Sequence, residues 1–170
     1  MGFDFSIAEP ELRALFRFWL ERLPRGGVPS RAEIDPALIP PAYLPHLFIY
    51  AQEADGQFAC RLFGTALGRL YGRDETGQRL DPARRDPLHR SAGVFADVLA
   101  SGLPVYDRYT IAPPAGIARA VGRLMLPIAS RGNRPDQVFG MIRQIAAGEP
   151  AGTPADDVVH ATWADLAQPA

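Results

Sequence analysis

Apolar residues between positions 10 and 23 fall on a helical repeat: Leu12, Leu15, Phe16, Trp19, Leu20 and Leu23 return every three or four residues. Pro10 suits a first helical turn, and Pro24 with Gly26 and Gly27 stops the run. Phe18 lies off that stripe, so the helix has apolar surface for more than one neighbour. Further on, the period shortens to two. Residues 47–51 and 58–63 read as strands joined by a turn carrying Asp55-Gly56, a hairpin signature. In the second strand Phe58, Cys60 and Leu62 share one face and Arg61 lies on the other. A short helix is predicted over 65–71, closed near Gly72. A longer one opens at Asp86-Pro87, sets Leu88, Ala92, Phe95, Val98 and Leu99 on its apolar side, and ends at Gly102. Strand patterns follow over 105–111, 118–128 and 138–146, separated by Pro113-Pro114 and the turn-rich SRGNRPD. Gly122 inside the middle strand points to a bend or bulge, and Pro127 suits the end of that strand better than a central ladder.

The order is one helix, two strands, short helices, a longer helix and three strands. A doubly wound parallel sheet needs regular strand–helix alternation, which this order lacks. The pattern therefore predicts an α+β fold in which one antiparallel sheet carries helices on one face.

That order resembles a PAS domain, a five-stranded antiparallel sheet that holds short helices and one longer helix against its concave side. FRFWLERL, VPSRAEIDP, YLPHLFIY, FACRLFGTALGRLYGRDETGQRL and RLMLPIA together resemble a proteobacterial family of PAS-group proteins of unknown function, from about residue 10 to about residue 146. The resemblance implies an amphipathic N-terminal helix with the start of a linker over 1–27, a PAS-like domain over 28–147 and a weakly ordered tail over 148–170. It assigns Ser30-Arg31 and Asp35-Pro36 to the linker, Gly64 and Thr65 to the end of the hairpin, and Gly77 and Leu80 to the loop before the longer helix. Leu124, Leu126 and Pro127 fall on the long strand. PAS domains hold haem, flavin, small metabolites or nothing, and many dimerise through a leading helix. The implied function is a noncatalytic sensory or regulatory module that binds a small molecule or a separate output protein. A ligand-free scaffold homodimer is the first alternative, and a small α+β hydrolase or isomerase the second.

Composition narrows the chemistry. The 170 residues suit one domain, and a formal charge of -1 gives no general pull toward nucleic acid or an anionic membrane. All 18 basic residues are arginine, which excludes a lysine Schiff base and the lysine of a P-loop. No leader or membrane-length apolar run is evident, so a cytoplasmic setting is expected. A single cysteine, Cys60, rules out an intrachain disulfide. A photoreceptor PAS domain carries its reactive cysteine in a helical segment, whereas FACRLFG reads as a strand; no motif supports flavin, and a buried inert thiol is the simpler reading.

Four residues are candidates for a ligand site. His89, on the longer helix, stands where a haem-binding PAS domain sets an axial ligand, though one histidine is not a haem motif. Asp107, Arg119 and Arg123, with Arg108 among them, place charge on strands otherwise fit for burial. Arg119 and Arg123, four apart, share a face and would hold a carboxylate if they pointed toward the helices, or meet solvent or an acid partner if they did not. For the enzyme reading, Asp107, His89 and Arg123 are the available acid–base groups. Ser30, Arg31 and Asp35 are expected to form a capped turn that splints the leading helix to the domain, with a phosphate or acidic-ligand site on the same groups as the alternative. Leu15, Phe18 and Trp19 are the expected anchors of a homodimer built on that helix. No catalytic motif, and no histidine pair with the spacing of a local metal motif, is found.

Overall fold

The computed structural model describes residues 2–112, 116–145 and 158–167; Pro113-Pro114, Ala146, position 147 and positions 148–157 and 168–170 of the expected tail lie outside them. Two N-terminal helices, α1 (Phe3–Ser6) and α2 (Pro10–Leu20), lead into β1 (Leu47–Gln52) and β2 (Phe58–Phe63). Helices α3 (Thr65–Tyr71) and α4 (Ala92–Ser101) follow, then β3 (Val105–Ile111), β4 (Arg119–Ile128) and β5 (Gln137–Gln144). Strand β6 (Val159–His160) and helix α5 (Trp163–Leu166) close the described chain. The strands form one antiparallel sheet in the order β2-β1-β5-β4-β3-β6.

Helices cover both faces of this sheet, not one as the pattern predicts. Phe48, Tyr50, Val121, Met125 and Ile142 face α3 and α4, where Phe95, Val98 and Leu67 meet them. The alternate positions Leu47, Ile49, Leu124, Leu126 and Ile128 face α2, packed by Leu12, Leu15, Phe16 and Trp19. The expected stripe thus packs against the chain's own sheet. Trp19 is fully buried and its indole N–H donates to the Pro127 carbonyl at 2.8 Å. Helix α2 stops at Leu20, and single i→i−3 bonds from Arg22 and Leu23 carry the turn to position 23.

Three local features depart from the sequence pattern. Ile49 pairs with Leu62 but Tyr50 pairs with Cys60, so Arg61 is a bulge residue. The bulge turns Leu62 outward and Phe63 inward, and the expected shared face of Phe58, Cys60 and Leu62 is broken at Leu62. Gly122, by contrast, sits in an unbroken register between Arg108 and Arg143, with no bulge. A Cβ there would lie 2.6 Å from the Glu9 carboxylate, so this glycine makes room for a side chain from the other layer. The third departure is at the C-terminus. Val159 and His160 pair with Tyr106 and Val105, Ala161 donates to the Pro104 carbonyl, and the Asp165 carboxylate accepts from the Phe3 amide. Burial of Ala161 and Leu166 helps hold this stretch, which covers an otherwise open sheet edge and corrects the expectation of a loose tail for 158–167.

Pro127 is accommodated because β3 pairing ends at Met125, so its missing N–H leaves no bond to β3 unmade. The 28–36 segment runs beside the end of β4. Arg31 N–H donates to the Ala129 carbonyl at 2.7 Å, and Ala129 N–H donates to the Pro29 carbonyl at 2.9 Å. One Glu33 oxygen accepts from both the Ser30 amide and its hydroxyl, at 2.7 and 2.8 Å, which holds the Glu33 carboxyl below its usual range. Arg31 donates to the Ile34 carbonyl, and the Asp35 side chain accepts from the Ala37 amide. Every one of these bonds is internal to the chain.

Candidate functional site

Charged side chains are buried on both faces of the sheet at the same place. On the α4 face, Arg123 of β4 and Asp107 of β3 are directly paired across the strands. Arg123 Nε and Nη2 donate to the two Asp107 oxygens at 3.0 and 2.5 Å, a bidentate fork, and Nη1 donates to the Ser91 hydroxyl at 2.5 Å. The guanidinium also lies 4.8 Å from the ring centre of Tyr109 and 5.7 Å from that of Phe95. Burial works against its charge, but Asp107 and the neighbouring tyrosines outweigh it and hold Arg123 above its ordinary pKa.

On the α2 face, Glu9 stands at the N-cap of α2 and is also buried. Its carboxylate accepts from the Tyr106 hydroxyl at 2.8 Å and from Arg108 Nη2 at 2.9 Å, and it rests on Gly122. Burial and the adjacent Glu9 push the Tyr106 hydroxyl up to about 12. Arg108 and Gly122 are a cross-strand pair next to the pair Asp107 and Arg123. Because side chains alternate across a strand, two ion pairs stand back to back through one thickness of sheet.

A second polar cluster continues from the inner pair. Ser91 ends the 3-10 turn His89–Ser91 that precedes α4, and its hydroxyl donates to the Pro87 carbonyl at 2.9 Å. His89 Nδ1 accepts from the Asp81 amide at 2.7 Å, so the proton of the neutral ring lies on Nε2. That nitrogen faces Glu75 Oε1 at 3.3 Å. Glu75 is buried and also receives Arg73 Nε, while Arg73 Nη2 donates to Asp86 at 2.9 Å. The Tyr71 and Tyr109 hydroxyls, 2.6 Å apart, are both pushed upward by burial. The Tyr50 hydroxyl is buried without a hydrogen-bond partner among the described residues.

The structure pairs Asp107 with Arg123, which also donates to Ser91, and sets His89 in a separate cluster on the same 3-10 turn as Ser91. Arg119 is exposed at the start of β4 and takes no part. His89 precedes α4 instead of lying within it, and both ring nitrogens face protein groups, which does not suit an axial haem ligand. Cys60 does not suit flavin photochemistry: it is on β2, its thiol donates to the Leu62 carbonyl at 3.3 Å, and burial pushes it up to about 12. No group of three His, Cys, Asp or Glu among the described residues could hold a metal ion. Leu15 and Trp19 are buried within the chain and have no surface for a second copy, a correction to their expected place in an interface. Phe18 keeps partial exposure, with the Arg22 guanidinium 3.6 Å above its ring.

Glu9, Glu75 and Ser91 were not predicted, and Arg108 was marked only as a charge on a buried strand. Glu9 had one legible signal, an acid directly before Pro10 at a helix start, and Gly122 in a strand was its counterpart.

A family model described as PAS domain matches residues 7–143. Among solved structures, the Rhodobacter sphaeroides LOV protein is 14% identical, with a TM-score of 0.46 over 80% of this chain and 69% of that one. A fungal LOV domain photoreceptor is 11% identical, with a TM-score of 0.48 over 78% of this chain and 90% of that one. The PAS domain of a protein from Colwellia psychrerythraea is 12% identical, with a TM-score of 0.41 over 58% of this chain and 86% of that one. No curated protein matches.

Proposed function

The chain belongs to the PAS domain family, and from that premise we propose that it is a noncatalytic sensory or regulatory module whose output is a protein contact made by α2. The back-to-back ion pairs carry this reading. Arg123 and Asp107 lie under the helices of the inner face, and the residues beside them, Gly122 and Arg108, hold Glu9 at the first turn of α2. A change that moves the inner pair therefore moves the seat of α2. The noncatalytic part rests on geometry as well: Asp107, His89 and Arg123 are buried, Asp107 and Arg123 are spent on each other and His89 faces Asp81 and Glu75, a poor arrangement for acid–base work on a substrate.

The partner proposed is a second copy. The inner side of α2 is spent on its own sheet, while Arg13, Ala14, Arg17, Phe18 and Glu21 border a shallow outer surface. Small Ala14 beside aromatic Phe18, with charges around them, has the anchor-and-rim character of a modest interface. In solution at roughly 50 µM, where weak interfaces populate, light scattering is expected to give the mass of two chains. Phe18→Asp is expected to give the mass of one, with the fold retained. A single-chain mass for the unaltered protein would overturn the homodimer. Among the described residues no helix is long and apolar enough to cross a membrane.

A further inference from the structure

We propose that a cleft beside the polar network binds a small organic oxyanion, a carboxylate or a phosphate ester, through Arg84 and Arg85. The cleft holds about 330 Å³, room for a small metabolite. Tyr71, Arg73, Arg84, Arg85, Pro87 and Ile111 are among its walls, with Asp86 beside them.

Three guanidinium groups meet here, and they are not equally occupied. Arg73 is neutralised by Glu75 and Asp86. Arg84 Nη1 lies 3.2 Å from His89 Nε2, but Nδ1 already accepts from the Asp81 amide, so Nε2 of the neutral ring carries a proton and cannot accept from Arg84. The nearest acid to Arg84 is Glu75 at 3.8 Å, and that carboxylate already serves Arg73 and His89. Arg85 has no hydrogen bond or ion pair among the described residues. Two exposed guanidinium forks thus stand at one cleft with their donors largely uncommitted. A planar fork suits the two oxygens of a carboxylate or phosphate. Pro87, Ile111 and the Tyr71 ring offer apolar wall to the rest of such a ligand, which favours an organic acid over a bare inorganic ion.

The regulatory purpose of this site rests on the sensing role proposed above, because Asp86 and Arg73 tie the cleft to Glu75 and His89. Binding itself does not depend on it. The test is a ¹⁵N-resolved NMR titration of the full chain with benzoate and with phenyl phosphate, and with sodium chloride as the ionic control. At least one organic anion is expected to give saturable shifts at the amides of Arg73, Arg84, Arg85 and Asp86. Whichever of the two saturates names the head group. Arg84→Gln with Arg85→Gln is expected to weaken binding at least tenfold, whereas Arg25→Gln with Arg131→Gln, an equal loss of charge elsewhere, leaves it unchanged. Shifts that fail to saturate, that chloride reproduces, or that survive in the Arg84/Arg85 variant would overturn the site. Saturable binding that leaves every α2 amide unmoved would keep the site and remove its sensing role.

Discussion

Arg123→Met is expected to lower folding stability by about 3–5 kcal/mol, because it leaves the Asp107 carboxylate buried with no cation. The bidentate fork and the Ser91 bond vanish together, and Asp107 is buried, so water does little to offset their loss. Denaturant unfolding measures the loss directly. The informative companion is Arg123→Met with Asp107→Leu, which removes both charges at once. That pair is expected to recover most of the lost stability, since the desolvation cost of a buried pair offsets much of its attraction. A double variant as unstable as the single would mean that Arg123 matters for its packing on Tyr109 and Phe95, not for its charge.

Trp19→Ala is the second large effect, about 3–5 kcal/mol, from the cavity it opens and the bond to Pro127 it removes. Trp19 is fully buried and stacks beside Phe16 between α2 and the sheet, so the loss is expected at every protein concentration. Phe18→Asp separates the roles of two adjacent aromatics. Its effect on the isolated chain is expected to stay within about 1 kcal/mol, as for a partly exposed position. Unfolding curves at several concentrations distinguish the two, because a residue at an interface affects stability by mass action and a core residue does not.

The hydrophobic stripe of α2, the Asp55-Gly56 hairpin and the meander of β3, β4 and β5 were legible because each has a local signature in period or turn chemistry. Which face each strand presents was not. From Val121 to Ile128 every residue of β4 is buried, so no polar alternation marks inside from outside. Only the helices on both sides assign the faces, and their placement is a property of the whole fold. The same reasoning covers the C-terminal strand: two residues, Val159 and His160, carry no readable period, and they pair because β3 offers an open edge.

Charged residues on buried strands were legible as such. Asp107 and Arg123 stood out against apolar neighbours, and the structure pairs them. Arg119 shares their chemistry but falls where β4 begins at the exposed rim, a distinction that depends on sheet edges and not on spacing. The pairing of Glu9 with Arg108 was missed because they are separated by 99 positions, and nothing local to either announces the other.

The central claim is that the inner ion pair and the start of α2 are mechanically joined through the sheet. Native-state hydrogen exchange on Asp107→Asn tests it most directly, under conditions where the variant remains folded. The account predicts that amides of the first turns of α2, including the Arg13 amide bonded to the Glu9 carbonyl, lose protection more than those of the β1–β2 hairpin. An equal loss across the fold, or one confined to α4 and the His89–Ser91 turn, would contradict it.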